Sequence, residues 1–280
     1  MRVAVTGGTG QLGRQVRRAF AEQGWEVVAP SLAPPEHDVA DPAIVDTIAA
    51  LQPDVVVHTA ALTDVDGCAR DPEAAFRVNA LGTRNVARGA RASGAALVYI
   101  STNEVFSGEA TTPYREEDPV APINPYGQSK AAGEAFARAI LPEHYIVRTA
   151  WLFGPGGANF VTKILARAQA GPLQVVCDEF GSPSYAPDVA RAIVRLVATG
   201  AFGTYHFVNA GVASRYEWAA AVLALAGLAT PLTPLTRERW LRPSRVPRYT
   251  PLANQAGAAL GIHFRPWREA LAEYLRLEAA

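Results

Sequence analysis

The sequence predicts an α/β protein built on a doubly wound parallel sheet, with a smaller second lobe. Three observations carry that prediction. Short apolar runs alternate with longer helical patterns through the first half of the chain. The runs are apolar throughout rather than alternately polar, as strands covered on both faces must be. The first of them leads straight into a glycine-rich turn, "TGGTGQLG", that opens a helix. Strands alternating with helices imply right-handed crossovers and a parallel sheet between two helical layers.

The elements follow in order. "RVAV" (2–5) reads as a buried strand and "GQLGRQVRRAFAEQG" (10–24) as an amphipathic helix stopped by Gly24. "EVVA" (26–29) is a second strand, and "DPAIVDTIAALQ" (41–52) a helix with an Asp cap followed by Pro. "DVVVH" (54–58), "ALVYI" (96–100) and "YIVRTAW" (145–151) are further strands, separated by helices over 72–93 and 125–141. Beyond residue 151 the pattern loosens into Pro- and Gly-rich stretches such as "FGPGGANF" and "GSPSYAPD". Helices are predicted over 186–199, 214–226 and 266–278, and 229–251 is expected to be irregular. The expected division is a dinucleotide-binding domain over 1–151 and a mainly substrate-binding lobe over 152–280, some of whose elements pack back on the sheet.

Composition narrows the function. In 280 residues, 49% are hydrophobic, and 26 Lys plus Arg balance 26 Asp plus Glu, so the net charge is zero and no basic footprint for nucleic acid is present. Two cysteines, Cys68 and Cys177, without a motif around either fit a reducing cytoplasm better than a disulfide framework. The N-terminal residues lack a signal-peptide pattern. No run approaches the ~18 apolar residues of a membrane span.

Gly7, Gly10 and Gly13 sit where a strand turns into a helix, the context in which a glycine pattern binds a dinucleotide. Gly7 permits the tight turn, Gly10 lets backbone approach a pyrophosphate, and Gly13 lets helix and strand pack closely. The adjacent Gln11 and Leu12 open the helix, whose free N–H groups favour phosphate. A tight turn without ligand is the alternative. The second strand ends at Pro30 and Ser31, with no acid to bind ribose hydroxyls or repel a 2′-phosphate. That favours NADPH and leaves NADH open, with Arg14 and Arg17 as either phosphate partners or solvated charges. Asp38 and Val39 are candidates for the adenine end, or simple loop residues.

In "NPYGQSK" (124–130), Pro125 suits a first helical turn, and Tyr126 and Lys130 at i and i+4 share one face. Alone, they read equally as a surface pair. Ligands in such sheets bind beyond the carboxyl ends of the strands. Strand 54–58 delivers Ala60 and Ala61 there, small enough for a flat ring to lie close, and strand 96–100 delivers Thr102. Thr102, Tyr126 and Lys130 are thus expected to converge above Gly7–Gly13.

These features resemble the extended short-chain dehydrogenase/reductase superfamily, and more closely the dTDP-4-dehydrorhamnose reductase family. The segments "GGTGQLG", "PDVVVHTAALTDVD", "STNEVFSG", "NPYGQSKAAGE", "RTAWLFG", "NFV" and "DEFGSPSYA" occur in that family's order, and "RVPRYTPL" (245–252) looks like a degraded form of its Arg-Arg-Pro tail. The resemblance implies a Rossmann-type sheet and an NADPH-dependent reductase of a 4-keto-6-deoxysugar carried on a nucleotide, such as dTDP-4-dehydro-L-rhamnose. Tyr126 would protonate the carbonyl oxygen and Thr102 would hydrogen-bond it. Lys130 would bind the nicotinamide ribose and lower the phenol's pKa from its usual ~10. Asn79 would organise the site or merely cap a helix. Thr63 and Val65 would lie near sugar and nicotinamide, and Trp151 would wall the sugar or pack between lobes. A homodimer is compatible with the resemblance.

The chain departs from the pattern beside the chemistry. Asn103 and Glu104 stand where the family has Asp and Tyr, and Glu179 where Gln is usual. Glu104 is expected to be solvent-facing or bonded to a sugar hydroxyl. An acid that holds a metal in some members is replaced by Gln15, and the five histidines are scattered, so no metal is expected. Two other readings stay open: another nucleotide-sugar reductase, epimerase or dehydratase, and a non-catalytic dinucleotide-binding regulatory subunit.

Overall fold

The computed structural model describes residues 1–32 and 37–278. The chain begins with β1 (Arg2–Thr6), α1 (Gln11–Glu22), β2 (Glu26–Leu32), α2 (Ile44–Leu51) and β3 (Val55–His58). Then come α3 (Val65–Arg70), α4 (Pro72–Ala75), a π-helical segment (Phe76–Leu81), α5 (Gly82–Ser93) and β4 (Ala96–Thr102). A 3₁₀ turn (Asn103–Val105), α6 (Pro125–Ile140) and β5 (His144–Thr149) complete the first half. The second half contains β6 (Leu152–Phe153), α7 (Phe160–Ala168), β7 (Leu173–Val176), β8 (Phe180–Gly181), β9 (Ser184–Tyr185) and α8 (Ala186–Thr199). It ends with β10 (Gly203–His206), β11 (Ala213–Ser214), α9 (Arg215–Leu225), β12 (Leu232–Leu235), α10 (Gln255–Ala259) and α11 (Trp267–Glu278).

The central sheet has strand order β10-β5-β4-β3-β1-β2, and every pairing is parallel. This is the doubly wound sheet that the sequence predicts. One face is covered by α1 and α8, whose Val16, Phe20, Val189 and Ile193 pack on Val3, Val5 and Val57. The other carries α2, α5 and α6 over Val56, Leu97 and Ile146. Both α8 and β10 come from the second half, so the sheet draws on residues beyond 151. A separate apolar cluster joins α7, α9 and α11 through Val161, Trp218, Leu271 and Tyr274.

The segment expected to be irregular over 229–251 contains β12, which pairs in parallel with β7, and a 3₁₀ turn at Arg237–Arg239. Pro234 masked that strand in the sequence, yet Pro is tolerated in an edge pairing. The helix expected over 72–93 is α4 and α5 joined by the π-helical segment. Residues 33–36 lie outside the described residues, and no side chain over 29–36 is described, so the NADPH reading based on Pro30 and Ser31 finds no side-chain test there.

Helix α6 is fastened to the sheet by a buried ion pair. Glu134 accepts from Arg148 of β5 at 2.8 Å through both oxygens, and from Ser101 of β4 at 2.7 Å. Burial alone would raise the Glu134 pKa, but Arg148, Ser101 and Arg138 together hold it below the usual carboxylate range. Arg148→Met would leave this carboxylate buried without its main partner. The expected loss is about 3–5 kcal/mol, read as a lower urea midpoint at neutral pH. A loss under ~1 kcal/mol, typical of an exposed pair, would show that the pair does not fasten the helix.

Candidate active site

The glycine turn is compact because its residues lack side chains where backbone crosses backbone. Gly7 has φ +66°, and a Cβ on it would meet the Ala60 backbone at 2.7 Å. A Cβ on Gly13 would fall 2.2 Å from the Gly7 carbonyl. Gly10 donates to the Gly7 carbonyl at 2.9 Å and caps α1 with backbone alone, leaving the first N–H groups of the helix without a side-chain cap. Arg14 and Arg17 fold back onto the carbonyls of Thr9 and Gly8. That cradle, closed to a Cβ at Gly7 and Gly13 and without a side-chain cap, fits the phosphates of a dinucleotide.

The start of α6 is set just as tightly. Asn124 caps it by accepting from the Gly127 amide at 2.8 Å, and Pro125 occupies the first turn. A Cβ on Gly127 would lie 2.1 Å from the Glu104 carbonyl, and one on Gly133 would lie 2.3 Å from the Tyr99 hydroxyl. The two glycines therefore let the helix lie against the end of β4. Tyr126 and Lys130 share the face that this approach turns toward the strand ends.

One cavity of about 410 Å³ gathers most of the expected residues. Its wall includes Gly10, Gln11, Leu12 and Gly13 from the turn, and Ala61, Thr63 and Val65 beyond β3. Thr102, Asn103, Glu104, Tyr126, Lys130 and Trp151 line it too. Gly7 and Ala60 do not line it; they pack against each other beneath the turn. Asp38 and Val39 stand apart too. Asp38 lies 3.7 Å from Arg77, and Val39 is buried against Gly82 of α5. Asn79 sits behind the wall in the π-helical segment, where it bonds both backbone groups of Leu62 and donates to Ser129 of α6 at 3.0 Å. It thus ties the loop after β3 to the helix carrying Tyr126.

The electrostatics differ from the expectation that Lys130 lowers the Tyr126 pKa. Burial pushes the Tyr126 hydroxyl above its usual value, and the neighbouring Thr102 hydroxyl offsets part of that rise. Lys130 is itself brought down to about 7 by burial, with partial relief from Glu134. Its ammonium stands 4.3 Å over the Tyr99 ring. The physical reason is that burial is the largest influence on both groups, and Lys130 does not act on the phenol to offset it. Tyr126 is therefore held protonated at neutral pH, as a proton donor must be.

Glu104 is buried, not solvent-facing. Its carboxylate accepts from Asn124 at 2.5 Å, so Asn124 links the cap of α6 to the pocket wall. Burial raises the Glu104 pKa, while Asn124, Arg215 and Arg242 oppose that rise. Asn103 donates to Thr250 at 2.6 Å, and Asn124 donates to the Arg245 carbonyl at 3.0 Å. The degraded tail motif therefore buttresses the two departures from the family pattern. Trp151 has φ +45°, and its ring stacks on Trp218 at 5.6 Å, so it both lines the cavity and joins the second apolar cluster. Gln15 donates to the Pro155 carbonyl at 3.4 Å, and among the described residues no three His, Cys, Asp or Glu gather to hold a metal.

Several wall residues escape a reading of the sequence, among them Thr59, Thr149, Asn159 and Arg215. Asn159 caps α7, and Arg215 opens α9 after Ser214. Ser214 and Glu217 form a capping box, which signals a helix start but not that its first residue faces a cavity.

The family model described as "RmlD substrate binding domain" matches residues 1–279. The chain is 40% identical to the spore coat polysaccharide biosynthesis protein SpsK of Bacillus subtilis, over 98% of this chain and 97% of that protein. It is 39% identical to the dTDP-4-dehydrorhamnose reductase of Mycolicibacterium smegmatis, over 96% of this chain and 84% of the relative. The crystal structure of dTDP-4-dehydrorhamnose reductase from Bacillus anthracis in complex with NADP superposes with a TM-score of 0.95 at 33% identity, covering 99% of both chains.

Asn124→Ala removes the α6 cap and strands the buried Glu104 carboxylate together. The cap alone contributes about 0.5–2 kcal/mol, so the melting temperature should drop measurably in a calorimetric scan. Unchanged melting would show that neither bond bears on the helix.

Proposed function

The chain belongs to the dTDP-4-dehydrorhamnose reductase family, and from that premise we propose that it reduces the 4-keto group of a nucleotide-linked deoxysugar, dTDP-4-dehydro-L-rhamnose, at the expense of NADPH. The observation that carries the reading is a single cavity whose wall holds the glycine turn at one part and Thr102, Tyr126 and Lys130 at another. The NADP carried by the superposed Bacillus anthracis enzyme supports the choice of cofactor.

When bound, the reduced nicotinamide supplies the hydride that the ketone carbon receives. The residues of this chain do the rest. Gln11, Leu12 and Gly13, the first amides of α1, would present backbone N–H groups to the pyrophosphate, and Gly10 would let it approach. Thr102 and Tyr126 hydrogen-bond the carbonyl oxygen, and those bonds strengthen as negative charge develops there. Tyr126 delivers its proton to that oxygen, a transfer favoured because burial keeps the phenol protonated until then. Lys130, brought down to about 7 by burial, would hold the nicotinamide ribose, and the negative charge of the phenolate favours its ammonium form. Asn79 fixes the Leu62 loop against α6, and Trp151 walls the sugar. Glu104, engaged by Asn124, is a wall group rather than a second proton-transfer group. On this reading residues 1–151 hold the dinucleotide and residues 152–280 mainly the sugar nucleotide, with α8 and β10 completing the sheet. A cytoplasmic location accords with the free Cys68 and Cys177, and a homodimer is the assembly that size-exclusion chromatography would test.

Tyr126→Phe should lower turnover of the nucleotide-linked ketosugar by about 10²–10⁴-fold, the usual weight of general acid catalysis, while NADPH binding changes little. Undiminished turnover at neutral pH would take Tyr126 out of the mechanism. Gly10→Val sets a side chain between the turn and the pyrophosphate, on a backbone of φ −72° that valine adopts without strain. The variant should fold and fail to bind NADPH by calorimetry; wild-type affinity would move the phosphate site elsewhere.

A further inference from the structure

The reductase chemistry leaves one charged wall residue without a task. Arg215 lines the cavity, and its guanidinium lies 3.6 Å over the Trp151 ring, with Phe160 and Trp218 at 5.4 and 5.9 Å. Among the described residues it makes no side-chain hydrogen bond and no ion pair, so its donors are unspent. Its backbone is not free to swing away. The Arg215 amide donates to the Glu179 carbonyl at 3.1 Å, and the Ser214–Glu217 box fixes the turn it begins. Trp151 is pinned as well, for the Ser184 amide donates to its carbonyl and Gly181 leaves no Cβ against the indole. A left-handed backbone at a tryptophan is a strained conformation that persists where surrounding structure enforces it. The result is a guanidinium held over the indole at the cavity wall.

The other charges nearby decide what that edge meets. Glu104 lines the same cavity, and its charge and that of Arg215 act on each other. Glu179 is buried beside them and acts on both. Arg242 also faces this cluster, but its guanidinium is spent on Asp66 at 3.0 Å. A diphosphate would enter beside two carboxylates and be opposed by both. A neutral hydroxyl meets no such opposition: it donates to a carboxylate and accepts from a guanidinium. The Glu104 amide donates to the Thr102 hydroxyl at 3.2 Å, which places Glu104 next to the group assigned to the ketone oxygen.

We propose that Arg215 and Glu104 form a hydroxyl-reading pair that selects ketosugars carrying a free hydroxyl on the ring carbon beside the ketone, with Trp151 holding the Arg215 fork flat against the sugar. The pair replaces with hydrogen bonds the aromatic packing that Glu104 has displaced. This specificity rests on the reductase reading, and its test is chosen to separate the two.

The test compares a thymidine diphosphate-linked 4-keto-6-deoxyhexose with its 3-deoxy analogue. Wild-type protein should prefer the hydroxylated sugar by about 10–100-fold in kcat/KM, the weight of one hydrogen bond to a charged group. Arg215→Met and Glu104→Gln should each shrink that ratio, mainly through KM on the hydroxylated sugar. Arg215→Lys keeps the charge without the fork and should restore the ratio only in part. A ratio unchanged in Arg215→Met, with the fold intact by circular dichroism, would overturn the proposal. So would a matching loss of affinity for thymidine diphosphate alone, since that outcome makes Arg215 a phosphate contact. If no nucleotide-linked ketosugar is turned over, the reductase reading fails by itself. Calorimetric binding of the two sugars to the wild type and to Arg215→Met still decides the pair, and equal affinities would sink it.

Discussion

The placement of Tyr126 and Lys130 depends on a carboxylate one turn further along their helix. Glu134 is buried between α6, β4 and β5, and it binds Arg148 and Ser101 at once. Ser101 precedes Thr102 on β4, and Arg148 precedes Thr149 at the end of β5. A single ionised group therefore registers the helix against the two strand ends that build the site. A wholly apolar contact could match its stability but would not single out one longitudinal position of α6, because apolar packing is far less directional than a two-oxygen bond to a guanidinium. Gly127 and Gly133 then set the distance, since either side chain would force the helix off the Glu104 carbonyl or the Tyr99 hydroxyl. Register comes from charge and approach comes from missing side chains.

Around that anchor, the site is built from polar groups that the protein leaves only partly satisfied. Tyr126 and Glu104 are pushed upward by burial and Lys130 downward, each in the direction that disfavours its charged form. Groups held in that condition respond strongly to any partner that brings hydrogen bonds into the same dry space. By contrast, His58 lies just below the cavity with both ring nitrogens within hydrogen-bond distance of Thr6 and Thr83, and burial holds its pKa down to about 3. Thr83 in turn donates to the Asn79 carbonyl at 2.6 Å. The underlying layer is closed among its own partners, while the layer above it lines the cavity.

Much of this was legible in the sequence because it rests on local rules. The alternation of apolar runs with helical patterns located five of the six central strands, all but β10, and the position of the glycines between β1 and α1 identified the turn. Proline at the first turn of α6 and the four-residue spacing of Tyr126 and Lys130 placed both on one face before any coordinate was known. What escaped depends on long-range approach. The closeness of Arg215 and Glu104, more than a hundred positions apart, follows from how α9 meets the strand ends and has no local signature. The burial of Glu104 escaped for a related reason. Its partner Asn124 caps α6 through its side-chain oxygen, and nothing in the sequence shows where the remaining amide donors point. Lys130 illustrates a third limit. Its influence on Tyr126 was inferred from proximity alone, whereas the balance between charge and desolvation depends on how dry the site is.

The departures at residues 103 and 104 are better understood together with the tail than one at a time. Replacing an aromatic by a carboxylate at position 104 removes apolar packing and introduces a group that is costly to bury. The structure offsets that cost through Asn124, whose second contact is the Arg245 carbonyl of the tail. Asn103 reaches the same tail through Thr250, and the Thr250 amide bonds the Phe180 carbonyl next to Glu179. Glu104, Asn103 and Glu179 are thus three points on one continuous hydrogen-bonded strap rather than three independent substitutions. Restoring the aromatic at 104 alone would leave Asn124 without its acceptor and Arg215 without its nearest pocket-lining countercharge. The polar wall holds because its members bond one another.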